Sequence, residues 1–440
     1  MAVHVDKSKT PPRRIPSWVL GGVLSLVLIG VWALYLTLAP VPTARPPESG
    51  TAAGPGAAPA SGDLRVLVWR RVLPTDVIAT FEADTGAKVT IDRYDTLEEL
   101  QALASSGALT HDLILASGIG LKRLADAGLL SELSPGRLAN GGNLDPVITA
   151  RADSYDSATS YGIVAAWGTL GLAYDPAKLA ARLPPETALD SWSLLFDPER
   201  LAKLADCGVQ VVDAPRGAFP IALRYLGLPP DSAAVEDTET ATRLWEGIRP
   251  SIAKFTASDV VESLAVGDVC LALAASGDVL QARAMAAAAG RGPELKYVLP
   301  KEGTVAWFAM YAIPKAAANP DMARKLIDYT LRPEVAARAS NATGYANAVA
   351  ASTLYVKPEI KSDPALMPAQ ARLKDFIVET DLPPEVNALR ERFWQLINTP
   401  RGAAPAPAVE TPPATDAPAP ATQPTPEPTP EPALESPPTE

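Results

Sequence analysis

Few residues in this 440-residue chain have the type or spacing for bond-making chemistry. There are only two histidines, His4 and His111, and His4 lies in the N-terminal tail. A histidine metal site or a Ser-His-Asp relay would have to use His111 alone, and the geometric demands of such sites weigh against it. No base, nucleophile or metal cluster indicates an enzyme, and no cofactor motif is present. What remains suits binding. Trp69 and Ser117 each close a run that reads as a β-strand. In α/β sheets, ligands lie beyond the carboxyl ends of strands. An indole held there by backbone pairing is a rigid, flat surface for stacking a ligand or a cation. The competing reading of Trp69 is an ordinary packed side chain.

The elements that must hold these residues alternate along the chain. Leu64 to Trp69 reads as a strand, then Pro74 to Thr85 as a helix with Val77, Ile78 and Phe81 on one side. Pro74 suits a first helical turn and Gly86 a stop. Lys88 to Tyr94 is β-rich, Thr96 to Ser106 helical, Asp112 to Ser117 a third strand, and Leu121 to Gly128 helical. This alternation predicts an α/β fold with a mainly parallel sheet. Val209 to Val212, Val269 to Ala274 and Val305 to Ile313 read as further strands, and Met322 to Thr330 and Leu389 to Ile397 as amphipathic helices.

The two ends are different in kind. Trp18 to Ala39 carries no charge, and such a run of about 20 residues spans a bilayer. Lys7, Lys9, Arg13 and Arg14 precede it and only Arg45 follows closely, which predicts a cytoplasmic N-terminus. A cleaved signal peptide is the alternative. The expected plan is a basic cytoplasmic tail (1–17), a transmembrane anchor (18–39), a Pro/Ala-rich linker (40–62), a folded region (63–401) and an acidic Pro-rich tail (402–440). That tail contains Glu410, Asp416, Glu427, Glu431, Glu435 and Glu440 and no Lys or Arg. The tail reads as a disordered segment, or else as a reach across the envelope or a docking ligand. The formal net charge is −11 with no basic block, which excludes a nucleic-acid partner.

From about Leu64 to about Pro400 the chain resembles the putrescine/spermidine-binding proteins of ABC importers, particularly the putrescine-binding branch. The resemblance is carried in order by Asn143-Leu144-Asp145-Pro146, Asp190-Ser191-Trp192, Cys207-Gly208-Val209, Asp213-Ala214-Pro215, Gly267-Asp268-Val269-Cys270, Gly277-Asp278-Val279, Pro300-Lys301-Glu302-Gly303 and Tyr345-Ala346-Asn347. It implies a type-II periplasmic-binding-protein fold: two α/β lobes around a ligand cleft, preceded here by the transmembrane helix. The expected lobes are about 63–165 with 301–350, and about 166–300 with the C-terminal helices. The implied partners are a small polyamine ligand and an ABC permease, on the periplasmic side of the membrane. Cys207 and Cys270 fall where the branch has a disulfide; two buried free thiols are the alternative.

A diammonium ligand needs carboxylates at its ends and aromatic faces along its methylenes. By the resemblance, Trp69, Ser117, Asp278, Trp307 and Tyr345 are ligand-binding positions. Other positions depart from the pattern. Arg70, Arg71 and Val72 follow the first Trp, Arg216-Gly217 replaces an acid, and Ala275 and Ala309 replace an aromatic and an acid. An ammonium left without its carboxylate loses about 3–5 kcal/mol. Arg70, Arg71 and Arg216 therefore mark an altered pocket, unless they point to solvent and Asp278 is only a helix cap. The competing function is an anchored sensor or scaffold with a different, zwitterionic ligand or none.

Overall fold

Strand β1 (Leu64–Trp69) shows why the first element forms. Leu64, Val66 and Val68 are buried on one face and Leu67 on the other, while Arg65 is exposed. Helices cover both faces, so apolar residues recur without strict alternation. Helix α1 (Thr75–Thr85) buries Val77, Ile78 and Phe81, and stops at Gly86, whose φ of 70° is left-handed. Next come β2 (Val89–Tyr94), α2 (Leu97–Ser105), β3 (Leu113–Ser117) and α3 (Gly118–Asp126). Helix α3 begins three residues before the Leu121 expected from sequence, because the Ser117 hydroxyl accepts from Gly120 N and nucleates the turn. In this computed structural model the described residues are 62–399, except 70–71, 157–159, 257 and 291. The expectations for 1–17, for the 18–39 span, for the 402–440 tail and for nearly all of the linker lie outside them. Among the described residues no helix is long and apolar enough to cross a membrane.

The remaining strands are β4 (Gly162–Tyr174), β5 (Val209–Val211), β6 (Lys254–Phe255), β7 (Leu271–Ala275), β8 (Lys296–Val298), β9 (Val305–Ala312) and β10 (Ile377–Val378). Between and after them lie α4 (Pro215–Tyr225), α5 (Val235–Ile248), α6 (Val260–Val266), α7 (Ser276–Ala288), α8 (Pro320–Thr330), α9 (Pro333–Thr343) and α10 (Pro384–Asn398). The strand order is β2-β1-β3-β9-β4-β7-β5-β6, with β10 on β9 and β8 on β4. The sheet is mixed, which corrects the mainly parallel expectation. β1 pairs parallel with β2 and β3, and β5 with β6 and β7, but β9 runs antiparallel to β3 and β4, and β4 antiparallel to β7 and β8.

β4 is the reason. Its 13 residues pair with β9 along the first part and with β7 and β8 along the second, so one strand serves both halves of the sheet. The first half is flanked by clusters around Phe81, Tyr311 and Ile327 on one face and around Leu100, Phe308 and Met310 on the other. The second half packs around Trp192, Phe196, Phe219 and Trp245, and α10 closes over it with Trp394 and Ile397. Each such side chain contributes roughly 1.5–3 kcal/mol by burial. Trp394 also donates from Nε1 to Asp213 Oδ1 at 2.7 Å, which fixes the segment leading into α4.

Cys207 and Cys270 are joined by a disulfide, with Cα atoms 5.5 Å apart. They lie just before the neighbouring strands β5 and β7, so the bond staples the start of that pair. Gly208 makes this possible. Its φ is 86°, and a Cβ there would stand 2.5 Å from Asp268 O. The bridge spans 63 positions of sequence. A loop of that size constrains the unfolded chain by roughly 4 kcal/mol. Reducing the bond, or replacing both cysteines by Ala, is expected to lower the unfolding free energy by about that amount. Denaturant unfolding with and without reductant measures it, and equal midpoints would refute the stabilising role.

Candidate functional site

The carboxyl ends of β1 and β3 bring Trp69 and Ser117 to one end of the first half-sheet. β9 enters from the opposite direction, and Ala309 lies opposite Ser117. Two residues earlier, Trp307 pairs in register with Gly168 of β4. Strand pairing alone thus gathers Trp69, Ser117 and Trp307. The rings meet: Trp69 and Trp307 are edge-to-face at 5.5 Å, and Trp307 and Tyr345 at 4.8 Å. Such geometry matches the aromatic quadrupoles and adds to burial.

Each aromatic is also fixed from behind. Trp69 donates from Nε1 to Asp95 O at 3.2 Å. Asp95 precedes α2, where Thr96 Oγ1 accepts from Glu99 N and Glu99 Oε2 accepts from Asp95 N, a reciprocal cap. Tyr345 follows Gly344, which ends α9 in the left-handed region at φ 76°. Trp167 N of β4 donates to Ala346 O at 2.8 Å, and Asn347 ties the loop back to Ser340 and Ser352. The Tyr345 loop is therefore held against the long central strand.

The acid comes from the second half. β7 ends at Ala275, and α7 starts at Ser276. Asp278 lies in the first turn of α7, where the helix dipole favours a negative charge. The residue in the cap position is Ala275, and Asp278 is the third residue of the helix. Tyr345 donates from its hydroxyl to Asp278 Oδ1 at 2.9 Å. Four of the five ligand-binding positions expected from sequence thus form one connected group: Trp69, Trp307, Tyr345 and Asp278. Ser117 is adjacent on the sheet, with its hydroxyl engaged in capping α3. The neighbouring Ala309 and Ala275 are buried and carry no polar group into the site.

The arginines stand differently. Arg70 and Arg71 lie outside the described residues. Arg216 sits at the start of α4 and turns to the seam with α2 and α10. Its guanidinium lies 3.8 Å from Glu98 Oε1 and donates to Asn387 Oδ1 at 3.2 Å. Its side chain is half-buried, and that of Glu98 is exposed. Sequence gave no signal for the Glu98 pairing, since the two residues are distant along the chain. Beside this seam, Arg123 holds Asp381 with two hydrogen bonds of 3.0 and 2.7 Å. His111 precedes β3, at the strand end away from Ser117, and its Nε2 is 2.9 Å from Asp92. Among the described residues no group of His, Cys, Asp and Glu is arranged to hold a metal ion.

Burial pushes the half-buried Glu391 carboxyl above its ordinary range; Arg216 pulls it down, while Glu98 and Asp213 push it further up. An acid raised in the folded state stabilises the fold at low pH, and that stability is lost as pH rises from its unfolded value. Arg216→Ala removes the only pull downward among these groups. The variant is expected to lose stability relative to wild type between about pH 4 and pH 7, by up to about 1 kcal/mol. Denaturant midpoints across that range check it, and a constant difference would refute the coupling.

A family model described as bacterial extracellular solute-binding protein matches residues 76–369. The putrescine-binding periplasmic protein PotF of Escherichia coli (strain K12) is 35% identical over 338 residues, covering 76% of this chain and 91% of that protein. A putrescine/agmatine-binding protein of Pseudomonas aeruginosa is 33% identical over 350 residues, covering 80% and 95%. Among solved structures, a putative spermidine/putrescine ABC transporter from Listeria monocytogenes superposes with a TM-score of 0.67 at 26% identity, covering 77% of this chain and 99% of that one. The chain has the type-II periplasmic-binding-protein fold.

Proposed function

Because the chain belongs to the bacterial extracellular solute-binding proteins of ABC importers, in the group of the putrescine receptors, we propose that it captures a polyamine outside the cytoplasm and delivers it to an ABC permease. It is a binding protein rather than an enzyme. One observation carries the ligand reading. A carboxylate, Asp278, stands at the end of an edge-to-face aromatic row of Trp69, Trp307 and Tyr345. An ammonium pairs with the acid, and the rings desolvate the methylenes and attract the cation through their faces. Two halves of the sheet supply these groups, so ligand-driven closure of two lobes is the mechanism this reading implies.

Asp278 is the acid to which the reading assigns the principal ammonium. The acid and aromatic that the resemblance leads one to expect at 309 and 275 are both Ala, and Arg216 is committed to the Glu98 seam. The reading also includes membrane attachment through the charge-free run 18–39, which supports anchoring next to a permease. Fractionation tests that part: a protein of full mass in the membrane fraction supports the anchor, and a shortened free one supports a cleaved signal.

The ligand is tested by thermal shift and calorimetry on the detergent-solubilised full chain. Putrescine at 100 times its Kd is expected to add about 2.7 kcal/mol of stability. Asp278→Ala is expected to abolish the shift while leaving the unliganded protein folded. A full shift in that variant would remove Asp278 from the site.

A further inference from the structure

We infer that Gly277 and Gly168 are positioning residues of this site: each is the seat of one aromatic ring, and a methyl group at either one displaces that ring. The inference deepens the polyamine reading and rests on it. Gly277 is the second residue of α7, directly before Asp278. A Cβ built there would lie 2.3 Å from Tyr345 Cε1, 2.5 Å from Cδ1 and 2.7 Å from Cζ. Gly168 lies opposite Trp307 across the β4–β9 pair. A Cβ on it would lie 2.7 Å from Trp307 Cζ2 and 3.0 Å from Ser276 Oγ. Neither glycine has a positive φ, so the backbone accepts Ala at both. Space alone forbids it.

The backbone around Tyr345 has little room to shift. At Gly344 a Cβ would stand 2.9 Å from Leu280 Cβ and 3.0 Å from Gly277 Cα, so the two glycines already press the loop and α7 together. Ala346 is bonded to β4, and the Trp307 ring lies against Tyr345 on another side. A methyl group at 277 must therefore lift the phenol away from Asp278, whose Oδ1 it now holds at 2.9 Å. A methyl group at 168 must drive the Trp307 indole toward Trp69 and Tyr345, into the space a ligand would take. The seats are linked, since Thr169 N approaches Ser276 Oγ at 3.5 Å. The carboxylate and both rings are thus located by two missing side chains.

The test compares wild type, Gly277→Ala and Gly168→Ala as full-length protein, with putrescine as the probe. Calorimetry gives the Kd and unfolding gives the Tm without ligand. Ala is the better helix former, so Gly277→Ala has no intrinsic cost to α7. Displacing a binding group by about an ångström is expected to weaken binding about ten- to a hundredfold, with the unliganded Tm within a few degrees of wild type. In a Tyr345→Ala background, Gly277→Ala is expected to add no further loss, because the ring it displaces is gone. A purely structural glycine would lower Tm and leave Kd unchanged. Wild-type affinity in both variants, or an equal loss with and without Tyr345, overturns the inference and leaves the polyamine reading standing. A wild type that binds no polyamine overturns both. Should Gly277→Ala fail to fold, Gly168→Ala decides by its own Kd and Tm.

Discussion

The pairing of β4 with β9 locates Trp307 and the strand that holds the Tyr345 loop. β9 fixes Trp307 and sets Ala309 against Ser117; β4 supplies the Gly168 surface beneath Trp307 and the Trp167 amide that holds the Tyr345 loop. The same β4 then continues into the second half, where it pairs with β7, whose end launches α7 and Asp278. One continuous backbone thus sets the distance between the aromatic rings and the acid. Its pairing with β9 is interrupted by an irregularity between Val164 and Ala166, just before the residues that seat Trp307 and hold the Tyr345 loop.

Electrostatics divide the molecule's charges into two groups with different work. Asp278 sits in the first turn of a helix and accepts from the Tyr345 hydroxyl. Arg216 meets Glu98 and Asn387 where α2, α4 and α10 come together, and it pulls down the raised Glu391 carboxyl. The Arg123–Asp381 pair closes the same seam a short distance away.

The sequence determined the textures that depend on neighbours along the chain. The apolar run from Leu64 to Trp69 read as β1 although its burial does not strictly alternate, helical spacing and Gly86 gave α1, and the Ser117 position marked a strand end. The order of family-like runs gave the fold and the cysteine pair, and it singled out Trp69, Trp307, Tyr345 and Asp278, which the structure brings into contact. β4 was missed because its glycines, Gly162, Gly168 and Gly171, look like breaks rather than seats. The mixed sheet was missed for the same reason, since without β4 the direction of β9 has no reference. Only the tertiary structure decided which residues share space. Glu98 meets Arg216, Gly277 lies under Tyr345 and Gly168 under Trp307, although more than 60 positions separate each pair in the chain. Such contacts arise when distant segments are pressed together by burial, and no local pattern encodes which atoms will touch. The kind of site was therefore written in residue types, while its geometry waited for the crossing of two strands.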